Sequence, residues 1–238
     1  MKLENIDCMD LFKTISDSEI DLIVCDPPYK ITARGNTTHG GWLSTKKGLQ
    51  GTIFNYNDLK CEDWFPECFR VLKNGGHCYI MCNHTNLYEF LTVAQNCGFH
   101  FIKSLIWNKG NKVAGQYYMN SFEYILFFRK GKAVKINNCG TSDVLNVPNV
   151  KLKGKDGKNL HSTSKPVELM KILIENSSQV NETVLDFAFG IGTTAIACKE
   201  LGRNFIGAEI DKTYYDIAIE RLNSNDLTIE KTLNGVDI

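Results

Sequence analysis

The chain lacks net charge: 27 Lys and Arg balance 27 Asp and Glu over 238 residues. A uniform pull on nucleic acid or on an anionic membrane is therefore excluded, and attraction to a polyanion must come from segregated charge. No run is long and apolar enough to span a bilayer, and residues 1–7 lack the pattern of a secretory leader. A single cytoplasmic domain without a membrane partner is expected. Nine cysteines are present, yet none forms a Cys-x-x-Cys pair. They are scattered from Cys8 to Cys198 and several lie inside apolar runs, so they read as small core residues in a reducing compartment, and no metal site is expected. Prolines number only five, and two of them are adjacent.

Those two are Pro27 and Pro28, in Asp26-Pro27-Pro28-Tyr29. The apolar run before them reads as a buried strand over 21–26. Neither proline can donate a ladder hydrogen bond, so the strand ends there. A carboxylate then sits at the carboxyl end of a core strand, followed by a rigid turn and an aromatic ring. Ligands bind at that edge of an open α/β sheet. An acceptor, a fixed carbonyl and a stacking face suit a planar amine. The bland alternative is a strand end with a stiff turn.

Hydrophobic periodicity places further strands at 2–7, 77–83, 99–107, 122–128, 183–187 and 204–210. Helices are expected at 58–72, 86–97, 165–177, 193–201 and 213–223, and a short helix or turn at 10–16. Strands alternate with helices, which predicts a doubly wound, mainly parallel α/β sheet. Residues 30–57 form a long glycine-bearing loop with Arg34, Lys46 and Lys47. From 129 to 165 nine basic residues face only Asp143 and Asp156. That stretch has little helical period and reads as a contact surface, or as a solvated lysine face.

A second ligand-binding element lies at Asp186-Phe187-Ala188-Phe189-Gly190-Ile191-Gly192-Thr193-Thr194, between a strand and a helix. Gly190 and Gly192 allow a tight turn and close backbone approach. The helix start offers N–H groups to an anion. The next strand leads to Glu209, a carboxylate suited to two ribose hydroxyls. A nucleoside cofactor follows; a nicotinamide dinucleotide and S-adenosylmethionine both meet the description.

Asp-Pro-Pro-Tyr upstream, with His161-Ser162-Thr163-Ser164-Lys165-Pro166 and the glycine turn downstream, resembles the amino-group DNA methyltransferases. The catalytic motif precedes the cofactor motif, as in their circularly permuted beta class. Residues 71–76, 121–128 and 201–209, then Tyr215 and Arg221-Leu222, are similar to the family's remaining elements, so the likeness covers nearly the whole chain. Phe187 and Ile191 stand where its cofactor motif commonly has Pro and Ser.

The resemblance implies a single catalytic domain over 1–238 with a seven-stranded Rossmann-like sheet and a short inserted target-recognition segment at 131–160. It implies S-adenosylmethionine as cofactor, and double-stranded DNA as partner. A prokaryotic or phage origin is expected, and a homodimer is left open. Asp26, Pro27, Pro28 and Tyr29 would act on adenine N6 of a flipped base. Asp7 and Cys8 would border the cofactor's adenine and Glu209 its ribose. Asp186, Phe187, Gly190 and Gly192 would form its turn, and Lys165, Thr193 and Thr194 would meet its carboxylate. Arg34, Lys46, Lys47, Lys151, Lys153 and Lys155 would contact DNA. Cytosine N4 is the alternative target, since Asp at the head of the tetrad is typical of adenine enzymes and Ser of cytosine ones. A catalytically degenerate DNA-binding module and an oxidoreductase are the competing classes. The first predicts loss of a motif, and the second a complete dinucleotide fingerprint.

Overall fold

The computed structural model describes residues 1–28, 59–113, 117–149 and 164–224. In chain order the elements are β1 (Lys2–Glu4), α1 (Cys8–Lys13), β2 (Ile20–Cys25), α2 (Cys61–Val71), β3 (Leu72–Cys82) and α3 (Leu87–Asn96). There follow β4 (His100–Val113), β5 (Asn120–Arg129), β6 (Val144–Asn146), α4 (Val167–Ser177), β7 (Thr183–Asp186), α5 (Thr193–Leu201), β8 (Asn204–Ala208) and α6 (Lys212–Asn223).

The strands form one sheet in the order β1-β8-β7-β2-β3-β5-β4-β6. Pairing is parallel from β1 through β3 and between β4 and β6, and antiparallel on both sides of β5. The sheet is thus mainly parallel as expected, with eight strands rather than seven. The extra strand is β6, three residues inside the segment read as irregular; it is too short for periodicity to reveal. A second difference lies at 72–76. Asn74-Gly75-Gly76 reads as a helix stop, yet the chain passes directly from α2 into β3. Gly75 makes this feasible with φ +89, and the backbone ties to β5 through Gly75 N–H to Lys130 O and Lys130 N–H to Gly76 O.

Two apolar layers sandwich the sheet. One gathers α1, α2 and α3 around Phe12, Trp64, Phe65 and Phe90. The other gathers α4, α5 and α6 against Leu22, Val24, Tyr79, Trp107 and Phe127. Each fully buried large side chain contributes roughly 1.5–3 kcal/mol. Seven of the nine cysteines are buried and all are free thiols, as their positions in apolar runs predicted. No helix among the described residues is long and apolar enough to cross a membrane.

Layering sets the location of the site. The helix after β7 lies on one face, and the helix after β2 lies on the other. β7 and β2 are neighbours, so a crevice opens between their carboxyl ends, the switch point where α/β sheets bind ligands.

Candidate active site

Asp26 follows β2, Asp186 ends β7, Glu209 follows β8, and Asp7 follows β1. Because the strand order is β1-β8-β7-β2, these four acids line one edge of the sheet. Neighbours lie about 5 Å apart in the pairing direction, so Glu209 and Asp26 are separated by roughly 10 Å.

Asp186 is buried. Its carboxylate accepts from Thr194 Oγ1 at 2.6 Å and from Ala188 N–H at 3.2 Å. Burial nevertheless pushes its pKa up to about 6. Glu209 is 9% exposed. It accepts from Gly190 N–H and Asp211 N–H, each at 2.8 Å, so it braces the glycine turn from the next strand. Burial again pushes its pKa up to about 6. Asp7 caps α1 by accepting from Met9 N–H at 2.7 Å. Cys8 beside it is buried, and that burial pushes its thiol to about 12.

The turn residues divide by role. Phe187 points into the core, its ring 5.4 Å from Phe12 and 5.2 Å from Trp64. Gly190 and Gly192 both have positive φ. Gly192 also packs against α6, where an added Cβ would meet Ala218 Cβ at 2.8 Å. Helix packing therefore leaves no room for a side chain at Gly192. Thr193 and Thr194 open α5, and both are buried. The Thr194 hydroxyl is engaged by Asp186.

Lys165 precedes α4 and is buried, its side chain 6% exposed. Its Nζ donates to Asp26 Oδ2 and lies 3.3 Å from Glu123 Oε2. Lys109 Nζ reaches Glu123 Oε1 at 3.1 Å. Charges thus alternate from Asp26 to Lys165, Glu123 and Lys109. Both ammonium groups lie 5.9 Å from the Trp107 ring centroid, and the indole N–H donates to Val147 O at 2.7 Å. Glu123, Lys109 and Trp107 carry no role in the sequence reading. A signal is nevertheless present: Glu123 is a lone acid in an otherwise apolar strand.

Tyr29, Arg34, Lys46, Lys47, Lys151, Lys153 and Lys155 lie outside the described residues. Their flanks are informative. Pro28 sits at the edge carrying Asp26. β6 runs parallel to β4 toward that same edge, where Asn149 N–H donates to Lys109 O. Arg129 and Lys130 differ from the expected contact surface. They lie at the opposite edge, paired with the start of β3, and Lys130 Nζ donates to the carbonyls of Phe69, Arg70 and Leu72 where α2 ends. The Lys130 charge serves the fold. Two exposed aromatics have no part in the sequence reading: Tyr117 and Tyr118, 87% and 88% exposed, between β4 and β5 at the carboxylate edge.

Known proteins agree with this architecture. A family profile described as DNA methylase, N6_N4_Mtase, matches residues 20–220. The chain is 35% identical to the Type II methyltransferase M.HinfI of Haemophilus influenzae, over 94% of this chain and 70% of that protein. It is 28% identical to the Type II methyltransferase M2.MboI of Moraxella bovis, over 90% and 84% respectively. Among solved structures, the cytosine-N4-specific PvuII DNA methyltransferase superposes with a TM-score of 0.74 at 16% identity, covering 96% of this chain and 88% of that one. The M1.HpyAVI–SAM complex gives 0.67 at 24%, covering 92% and 98%. At these identities the two structures speak for the fold. The profile and the M.HinfI match speak for the family, and the chain belongs to the N6_N4_Mtase family of DNA methylases.

Proposed function

We propose that the chain transfers a methyl group from S-adenosylmethionine to N6 of an adenine flipped out of duplex DNA, as a beta-class enzyme of the Asp-Pro-Pro-Tyr type. The observation that carries this is the position of Asp26: a carboxylate at the switch point, beside the crevice, held by a buried lysine. Family membership supplies the reaction class. Asp rather than Ser at the head of the tetrad favours adenine over cytosine. The order of Asp26 before the glycine turn favours the permuted class.

The residues fit the cofactor. A sulfonium and an ammonium are both cationic, and the row Asp186, Glu209 and Asp7 is acidic. A dinucleotide pyrophosphate would meet repulsion there. Glu209 would hold the ribose hydroxyls, with Asp7 and Cys8 bordering the adenine. Asp186 and the turn at Phe187, Gly190 and Gly192 would shape the pocket. Thr193, Thr194 and Lys165 would serve the carboxylate end, Thr193 and Thr194 through the backbone N–H groups at the start of α5. When bound, S-adenosylmethionine supplies an electrophilic methyl group.

The adenine amine is a weak nucleophile because its lone pair is conjugated into the ring. Asp26 accepts a hydrogen bond from one amine N–H and the Pro27 carbonyl accepts one from the other. Pro27 and Pro28 restrict the backbone that carries that carbonyl. Two fixed acceptors favour a pyramidal nitrogen and stabilise the positive charge that develops on it. Tyr29 stacks on the extruded base.

The whole chain acts as one catalytic domain, with recognition in the 131–160 segment. Among the described residues of that segment, those after β6 lead to Asn149 beside Lys109 at the catalytic edge, and Lys151, Lys153 and Lys155, with Arg34, Lys46 and Lys47, are assigned to the DNA phosphates. Tyr117 and Tyr118 on the same rim suit stacking on unpaired bases. The test is nucleoside mass spectrometry of DNA from cells expressing the protein. N6-methyladenine is expected. N4-methylcytosine would overturn the target, and no modified base would overturn the activity. Asp26→Ala should abolish transfer while cofactor binding persists; transfer near wild type would end the assignment of Asp26.

A further inference from the structure

We infer that Glu123 and Lys109 are positioning residues for methyl transfer: together they hold Lys165 against Asp26 and balance the charge around the catalytic carboxylate. The inference rests on the assignment of Asp26 to the target amine and adds two residues to that site.

The geometry comes from strand register. Trp107 and Glu123 are paired across the antiparallel β4–β5 ladder. Lys109 lies two residues beyond Trp107 and so projects from the same face. That face is the one α4 covers, and Lys165 stands just before α4. The ladder therefore delivers one acid and one base to the place where the loop before α4 delivers Lys165. Lys165 is shared between Asp26 and Glu123, and Glu123 between Lys165 and Lys109. Trp107 forms a platform under both ammonium groups, fixed in turn by its bond to Val147.

Four alternating charges sum to zero. A buried pair is stabilising only when each member keeps its partners, and removing one member leaves an uncompensated charge. Without Glu123, Lys165 and Lys109 are two buried cations with one fewer anion, and Lys165 releases its proton more readily. Without Lys109, Glu123 competes with Asp26 for Lys165, and Asp26 stands in a site of net negative charge and protonates more readily. The two losses thus act on opposite sides of the pH range. Burial by itself would raise the Glu123 carboxyl, but Lys165 and Lys109 hold it below the usual range.

Other described groups feel the charge on Asp26. They are Cys25 on β2, Cys82 on β3 and Asp186 on β7. Burial keeps both thiols protonated at neutral pH, Cys82 at about 12 and Cys25 well above its usual value. Asp186, pushed to about 6 mainly by burial, titrates on the acid side in all variants, and Asp26 is the smallest contributor to its shift. Differences between variants therefore report the Lys165 network.

The experiment measures tritium transfer from S-adenosylmethionine to unmethylated plasmid DNA as a function of pH, using the full chain. Glu123→Gln should move the basic limb of the kcat profile down by about one pH unit, the scale of a neighbouring charge. Lys109→Met should move the acid limb up by a similar amount. The double variant is neutral again and should return both limbs to wild type. Lys109→Arg keeps the charge and should retain the wild-type profile. If one single variant fails to fold, the other and the double variant still decide. Unmoved limbs, or limbs that the double variant does not restore, overturn the inference. So does a changed cofactor dissociation constant with unmoved limbs, which assigns the network to cofactor binding. A wild-type protein that methylates no DNA overturns instead the activity on which the inference rests.

Discussion

Gly192→Ala tests why the glycine turn has its sequence. Gly192 lies at φ +80, a region that costs an L-residue roughly 1–2 kcal/mol. The new methyl would also sit 2.8 Å from Ala218 Cβ and 3.3 Å from Ala218 Cα. Overpacking of this kind costs about 1–3 kcal/mol. The sum is a destabilisation of about 2–5 kcal/mol, or a fall in Tm on the order of 10 °C for a chain of this size. Ala218→Gly separates the two terms. Alone it costs roughly 1 kcal/mol, because glycine is a poor helix former. Combined with Gly192→Ala it removes the Cβ clash, while the close approach to the α6 backbone and the φ penalty both remain. A double-mutant cycle by chemical denaturation should therefore show a favourable coupling of about 1–2 kcal/mol, most of the overpacking cost. Strict additivity would refute the packing account. A Gly192→Ala protein with wild-type stability but no cofactor binding would show that the glycine serves ligand approach instead.

Glu209→Gln should be more stable than wild type at pH 8 by about 2 kcal/mol relative to its effect at pH 4, at 1.36 kcal/mol per pKa unit. The folded pKa of Glu209 is raised from 4.5 to about 6, so its stabilising contribution is complete below pH 4.5 and is lost as pH rises through 6. Denaturation curves that keep the same offset at both pH values would contradict this. Trp107→Phe removes the donor to the buried Val147 carbonyl and should cost about 1–3 kcal/mol in urea unfolding. A loss under about 0.5 kcal/mol would mean that the carbonyl finds another donor. Replacing Lys151, Lys153 and Lys155 by Ala should weaken DNA binding and flatten its salt slope in fluorescence-anisotropy titrations, with cofactor affinity unchanged. Wild-type affinity and slope would move recognition to residues 30–57.

The fold is legible where a single physical signal dominates. α5, opened by Gly192 and closed by Gly202, occupies the span that periodicity predicts. So, within a residue or three, do the buried strands β2, β7 and β8. The discrepancies lie where local signals compete with pairing. Asn74-Gly75-Gly76 has the composition of a turn, but its backbone is recruited by Lys130, the residue after β5. β4 continues to Val113 through Gly110, which has positive φ, so periodicity ends the strand several residues early. β6 exists because Val144, Leu145 and Asn146 find the free side of β4, and no three-residue pattern announces that.

The site is legible as motifs and obscure as a network. Asp26, Asp186 and Glu209 announce themselves because each follows an apolar strand, and strand order then aligns them on one edge. Lys165 reads as a cofactor ligand from its motif, yet its nearest charge is Asp26, a partner 139 residues away that no local pattern can name. The basic run from 129 to 165 shows the same limit. Composition treats it as one surface, but the chain crosses the sheet within it along β6. Arg129 and Lys130 are left at the amino edge, where Lys130 closes the end of α2, while Asn149 arrives beside Lys109 at the carboxyl edge. The described ends of the stretch thus lie at opposite edges of the sheet, separated by the direction of a three-residue strand. Glu123 follows from the same logic. An acid in an apolar strand is costly unless paired, so its presence next to Trp107 required buried cations nearby, and Lys109 and Lys165 meet that requirement at the position where Asp26 needs a fixed counter-charge.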